Sequence, residues 1–271
     1  MPSYLNMVDR LIEAASVRSK WRSLRRPLEA GERRMGRVFR QQGLLFLDGF
    51  GALRGRFSEG RLVETLTEDD WLRIWDRTSN ETFDLFFMVL QTMMEQGLAI
   101  GAAVQIANVQ VDYAFDLRNP RAVAYIEQFG AARVTQINET TRGEIRSIVQ
   151  QGTAEGWSYD RVAREINRRF REFAVGRPQE HIDSRGHLVA VTELGNAYEA
   201  GNAIVIDDLI AGGLAMEKKW LTVGDDRVSA GCQANQAEGW IPYAQAFVSG
   251  HQRPLRFPGC RCTALYRRQR A

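Results

Sequence analysis

Lysine is nearly absent from this chain: Lys20, Lys218 and Lys219 stand against 33 arginines in 271 residues. Such a bias comes either from arginine-rich codon usage or from a need for bidentate contacts to phosphate and carboxylate, which a guanidinium makes better than an ammonium. Cysteine is scarce too. Three in a chain of this size argue for a reducing compartment and exclude a disulfide framework. No apolar run reaches about 18 residues without a charge, so no membrane span is expected. The opening Met1-Pro2-Ser3-Tyr4 runs quickly into charges without an apolar h-region, so no secretory signal is expected either. Short repeats and low-complexity tracts are missing. What is present is ordinary globular composition, 44% hydrophobic and 25% charged, enough for one large domain or two small ones.

The net charge of +3 is too small to mark a nucleic-acid binder, but it is unevenly spread. Residues 1–61 carry 13 basic and 6 acidic side chains, residues 62–160 carry 7 and 15, and residues 161–271 carry 16 and 12. Basic ends around an acidic middle suit a protein that docks on partners and touches DNA. The candidate contacts are Arg22, Arg25, Arg26, Arg33, Arg34 and Arg37 near one end, and Arg267, Arg268 and Arg270 at the other.

Periodicity predicts helices through most of the chain. Leu5, Val8, Leu11, Ile12 and Ala15 share one helical face over residues 4–20. Pro27 reads as a break or a first helical residue. Gly43 to Gly60 reads as closely packed helix or as loop. Helix starts are expected at Thr67-Glu68-Asp69-Asp70 and again at Ser79-Asn80-Glu81, and Gly97–Val111 reads as buried core. Asn119-Pro120 is a further start, and a longer helix is expected over Arg133–Gln151, ended by Gly152 and Gly156. Ser158 caps the next helix, Gly176–Ser184 is a polar loop, and another helix covers about 184–205. Residues 218–223 read as a strand, followed by a turn at Gly224-Asp225-Asp226. The expected fold is mainly α with a small α+β C-terminal module. A helical N-terminal region (1–115) precedes a second region (116–271) with helices over 119–205 and short strands and loops over 215–267.

Four residues near the C-terminus have the chemistry of a metal centre. Cys232, Cys260 and Cys262, with His251 between them, supply the ligand types of a tetrahedral structural zinc site. Three reduced, partly buried cysteines are the leading reading, so no cofactor is expected; the zinc site is one alternative, and a disulfide from Cys232 to Cys260 or Cys262 is another. An enzyme reading, with Cys232 or Cys260 as nucleophile, His251 as base and Asp225 or Asp226 orienting it, has no nucleophile motif around either cysteine. Asp225-Asp226-Arg227 reads as a turn with local ion pairing. Glu193 lies on an apolar helix face with Leu188, Val191 and Leu194, and needs an arginine or hydroxyl partner if buried, Thr192 being one candidate.

Three blocks, in order, carry a resemblance to a known family. They are Ile137-Asn138-Glu139-Thr140-Thr141 continuing to Gly156-Trp157-Ser158 and Val162-Ala163; Ala190-Val191-Thr192-Glu193 with Ala197 and Gly201; and Trp220-Leu221-Thr222, Asp225-Asp226-Arg227-Val228 and Cys232, then Phe247, Gly250 and Pro258-Gly259-Cys260-Arg261-Cys262. Over roughly Asn119 to Arg267 the chain resembles the Mu F-like phage head morphogenesis, or minor capsid, proteins. It departs from the family pattern at Val191, where arginine is frequent, at Ser229, where many members have cysteine, and at Phe257-Pro258-Gly259, where histidine is common. The resemblance implies that 116–271 is the Mu F-like domain of a non-enzymatic virion protein. Such a protein is assembled in the host cytoplasm and sits in the head near the portal vertex. Its implied partners are the portal protein, the major capsid or scaffolding protein, and DNA. Its implied role is head assembly, with genome packaging or delivery as an extension. A DNA-binding virion protein that holds genome ends is the alternative.

Overall fold

Six α-helices carry most of the described chain, and its strands are short. The computed structural model describes residues 4–58, 61–62, 67–111, 113–175 and 184–269, with side chains over 16–55, 67–111, 113–173 and 184–269. Helix α1 (Tyr4–Phe50) passes through a 3-10 turn (Gly51–Arg56) into a small antiparallel pair, β1 (Phe57–Ser58) and β2 (Arg61–Leu62). Then follow α2 (Glu68–Val109), α3 (Pro120–Ala154), α4 (Tyr159–Val175) and α5 (Arg185–Ala211). The chain closes with β3 (Met216–Leu221), α6 (Ala230–Ala237), β4 (Trp240–Pro242) and β5 (Thr263–Arg268), whose three strands form an antiparallel sheet in the order β4-β3-β5. The architecture is mainly α with a small α+β C-terminal module, as the sequence predicts. The expected loop over Gly176–Ser184 lies, but for Ser184, outside the described residues.

Helix starts follow the capping residues. Asp70 accepts from the backbone N–H of Thr67 at 2.8 Å, Asn119 Oδ1 accepts from Arg121 N at 2.9 Å, and the Ser158 and Ser184 hydroxyls accept from Arg161 N and His187 N. Gly156, at φ +63°, closes α3: Trp157 N donates back to Gly152 O at 2.8 Å. Two expectations are corrected. Pro27 lies inside an unbroken α1, because Leu24 and Met35 on either side are fully buried and tertiary packing outweighs the roughly 3 kcal/mol propensity cost. Ser79 does not start a helix but sits inside α2, its hydroxyl satisfied by Asp76 O at 3.0 Å. The start at Asn119-Pro120 and the longer helix expected over Arg133–Gln151 belong to one unbroken helix, α3. The Gly43 to Gly60 stretch is helix up to Phe50.

By contacts the chain divides into two units, each assembled from separated segments. The first takes residues 1–30, 92–126 and 189–271, and the second 31–91 and 127–188, so neither follows the contiguous ranges 1–115 and 116–271.

The second unit is a helical core rich in aromatics. Phe39 meets Phe86 at 5.2 Å and Phe173 at 5.4 Å between ring centroids, and Phe46 stacks on Phe50 and packs against Trp75. Gly43 lets α1 approach α4, since a Cβ there would stand 2.6 Å from the Phe170 ring. A polar knot crosses this core: fully buried Gln42 donates from Nε2 to Thr82 Oγ1 and to Asn138 Oδ1, both at 3.0 Å. Arg185 bonds Thr141 Oγ1 at 3.0 Å and Ile137 O at 2.9 Å, with its guanidinium over Phe173 and Phe39.

In the first unit, α2 and α5 touch backbone to backbone. A Cβ on Gly101 would overlap the carbonyl of Tyr198, and one on Gly201 that of Leu98. This contact explains the small residues of Gly97–Val111, of which Gly97, Leu98, Gly101, Ala102 and Gln105 are buried while the opposite face is more open. Among the described residues α2 is the one helix long and apolar enough to cross a membrane, and 44% of that window is buried in the protein. Strand β3 pairs Trp220 with Ala264 and Lys218 with both Ile241 and Tyr266.

The two kinds of glycine separate in a stability measurement. Gly101→Ala forces backbones apart and is expected to lose about 2 kcal/mol or more in urea unfolding. Gly143→Ala, exposed in α3 with open space around it, is expected to gain about 0.8 kcal/mol.

Candidate metal centre and its buried supports

Cys232, Cys260 and Cys262 meet in one buried cluster. Their sulfur atoms lie within 4.8 Å of one another, and Cys232 and Cys260 are 3.9 Å apart. Local geometry places them. Ser229 caps α6 and accepts from Cys232 N at 3.3 Å, fixing the first thiol in the first turn. Gly259, at φ +81°, turns the chain so that Cys260 N donates to Phe257 O at 3.0 Å, and β5 begins just past Cys262. The Gly259 N–H donates to Thr192 Oγ1 at 3.0 Å, tying this turn to α5. Trp220, Ile241 and Phe247 complete the surrounding apolar shell.

Three thiols fit a soft or borderline metal. A tetrahedral zinc with bonds of about 2.3 Å needs sulfurs about 3.8 Å apart, and the observed 3.9 Å matches. The indole Nε1 of fully buried Trp220 has no hydrogen-bond partner and stands beside Cys262, as a donor to a thiolate would. Hydrogen bonding from Cys262 holds the Cys260 thiol below its ordinary value, and Cys262 is pushed up in return, so one thiolate is favoured within the cluster.

The fourth expected ligand is not there. His251 lies outside the thiol group, its Nδ1 within 3.0 Å of both Ser249 Oγ and Ser249 O, because the tight turn at Gly250 folds the ring back on its own loop. The four-ligand set is therefore corrected to three thiols. The constellation of a nucleophile, His251 and Asp225 is not brought together either: Asp225 accepts from Arg261 at 2.7 Å and turns back on Arg227 N at 3.2 Å.

A buried ion pair lies in the same unit. Lys20 Nζ donates to Glu199 Oε1 at 2.7 Å and to Cys262 O at 2.8 Å, and the Trp21 and Tyr198 rings each stand 5.2 Å from the ammonium. Glu199 also accepts from Thr263 Oγ1 at 2.7 Å and Ala264 N at 3.2 Å. Both side chains are completely buried. Sequence reasoning chose Glu193 instead, which is buried on α5, while the Thr192 hydroxyl is engaged by Gly259. A second buried ammonium, Lys218, donates to Gln252 O and Oε1 at 2.8 Å, and burial pulls it down to about 8.

The candidate contact arginines divide into two groups. Arg22, Arg25, Arg26, Arg33, Arg34 and Arg37 are exposed on α1, and none has a hydrogen bond or ion pair among the described residues. Arg268 is exposed, but Arg267 pairs with Glu217 at 2.8 Å and lies over Trp240 at 4.1 Å, because β5 faces β3 there. Arg270 lies outside the described residues.

Metal content is measurable directly. About one zinc per chain is expected by elemental mass spectrometry, lost in Cys260→Ser together with thermal stability. Less than about one-tenth equivalent on untreated protein ends the zinc reading. The ion pair gives a second test: Lys20→Met alone is expected to lose about 3–5 kcal/mol by stranding Glu199, with much of the loss recovered in the Lys20→Met, Glu199→Met double variant.

No family model, no curated protein and no solved structure matches this chain.

Proposed function

We propose that the protein is a structural component of a phage head, a minor capsid protein of the Mu F-like kind that docks near the portal vertex and acts in assembly. The observation that carries this reading is where the motif residues fall. Asn138 and Thr141 are buried polar nodes between helices of the second unit. Thr192, Gly259 and the three cysteines meet at one joint of the first. Residues that carry the resemblance thus serve as fasteners, a structural role consistent with a virion part.

Docking falls to the exposed arginines of α1. Each contact with an acidic surface is weak and salt-screened, but several copies meeting a symmetric ring reinforce one another. The same six guanidiniums fit DNA phosphates, which keeps a genome-holding role as the second reading.

Co-expression with the portal protein of the same phage, followed by size-exclusion and mass determination, tests the first reading. Co-elution at a defined stoichiometry is expected, weakened when Arg22, Arg25 and Arg26 are changed together to Glu. Free elution of the wild-type protein at low salt would falsify portal docking. A DNA gel shift by the protein alone would then favour the second reading, and no shift at low salt would remove it.

A further inference from the structure

The first unit contains a cleft of about 280 Å³, below the usual range for drug-sized ligands. Its polar lining includes Ser19 of α1, Gln105 and Asn108 of α2, Tyr198 and Asn202 of α5, and Thr263 of β5. None of its lining residues is charged, and the nearest charged pair, Lys20 and Glu199, is consumed internally. An anion or cation entering it would be desolvated without a counter-charge. Val104 and Leu265 add small apolar surfaces to the same wall.

Gln105 is the residue that needs explaining. It is 3% exposed, yet its Nε2 has no hydrogen-bond partner. A dry amide of this kind destabilises the fold, and buried polar groups are otherwise almost always paired. Asn202 and Tyr198, 2% and 3% exposed, hydrogen-bond each other beside it. The inner wall of the cleft is therefore built from the buried, neutral side chains of Gln105, Tyr198 and Asn202, with an unspent donor on Gln105, while Asn108 stands exposed at its edge.

We infer that this cleft binds a neutral, hydroxyl-rich ligand of monosaccharide size, read by the Gln105 amide. Carboxamides can span neighbouring hydroxyls with a donor and an acceptor at once, and the C–H faces of a sugar can rest on Val104 and Leu265. This site is separate from the thiol cluster and does not rest on the capsid reading.

The test uses the full chain, with titration calorimetry and saturation-transfer NMR against the methyl glycosides of glucose, galactose and mannose, N-acetylglucosamine, and glucose 6-phosphate as the charged control. At least one neutral sugar is expected to bind with Kd of about 1 mM, at least about tenfold tighter than the phosphate ester. Gln105→Leu is expected to weaken binding about tenfold or more with the far-ultraviolet circular dichroism unchanged. Leu265→Trp, filling the cleft from half-buried β5, should abolish it. Tighter binding of an oligosaccharide ending in the preferred sugar would assign the ligand as a glycan terminus, and equal binding as a free sugar; both sustain the inference. No binding of any neutral sugar up to about 100 mM would overturn it. So would binding that survives both substitutions, or a preference for the phosphate ester.

Discussion

The pairing of Lys20 with Glu199 is the constraint on which the first unit turns. Taking both charges out of water costs several kcal/mol for each ion, and the attraction between them recovers this only when the remaining donors and acceptors are also satisfied. Here they are. The carboxylate takes the ammonium, the Thr263 hydroxyl and the Ala264 N–H, while the ammonium also takes the Cys262 carbonyl. Residues 179 positions apart are joined directly, and the strand that follows the Cys-x-Cys turn is joined with them. Sliding β5 along β3 would carry Thr263 and Ala264 away from Glu199 and leave a bare buried charge. The ion pair thus fixes register more than it adds net stability.

That pairing requires α5 to lie at a set depth, and small residues provide it. Gly101 receives the carbonyl of Tyr198, and Gly201 receives that of Leu98. Contact between main chains leaves no side chain to adjust, so the rotation of α5 about its axis, and with it the position of Glu199, is set within narrow limits. In the second unit the corresponding job falls to polar atoms. Gln42 spans to Thr82 and Asn138, and only one relative placement of the three helices satisfies both bonds.

Local signals were readable where local physics decides. Asn119-Pro120, Ser158, Ser184 and Gly156 act through their own backbone neighbours, and each marks a helix end as expected. Pro27 and Ser79 misled because burial on both sides of each outweighed a local preference. The cysteines were legible as a set, since their residue type alone brings thiols to mind as ligands. His251 was not, because its place depends on a turn that points the ring back at Ser249. Glu199 and Glu193 share one apolar helix, and nothing in their own neighbourhoods says which meets an ammonium. The missed signal was the rarity of lysine. Of three in the chain, Lys20 and Lys218 are buried.

Rarity and burial together make sense of the cation chemistry. An ammonium is compact and offers three donors in a cone, which suits a closed pocket of oxygens: a carboxylate and a carbonyl at Lys20, two carbonyl oxygens of Gln252 at Lys218. A guanidinium is broad and flat, and it enters a core only where flat surfaces receive it. Arg185 does so against Phe39 and Phe173, and burial pulls it down to about 10. Such places are few, so most arginines stay at the surface. Many there are neutralised by neighbouring carboxylates, as Arg168 is by Glu165 and Glu172. The six of α1 are not, among the described residues. Like charges repeated along one helix repel each other and lower its stability, so the stripe works against the fold that carries it. A sequence that leaves these six unpaired at the surface, while using Lys20 and Lys218 to close the core, has separated the cations that hold the protein together from those that face solvent.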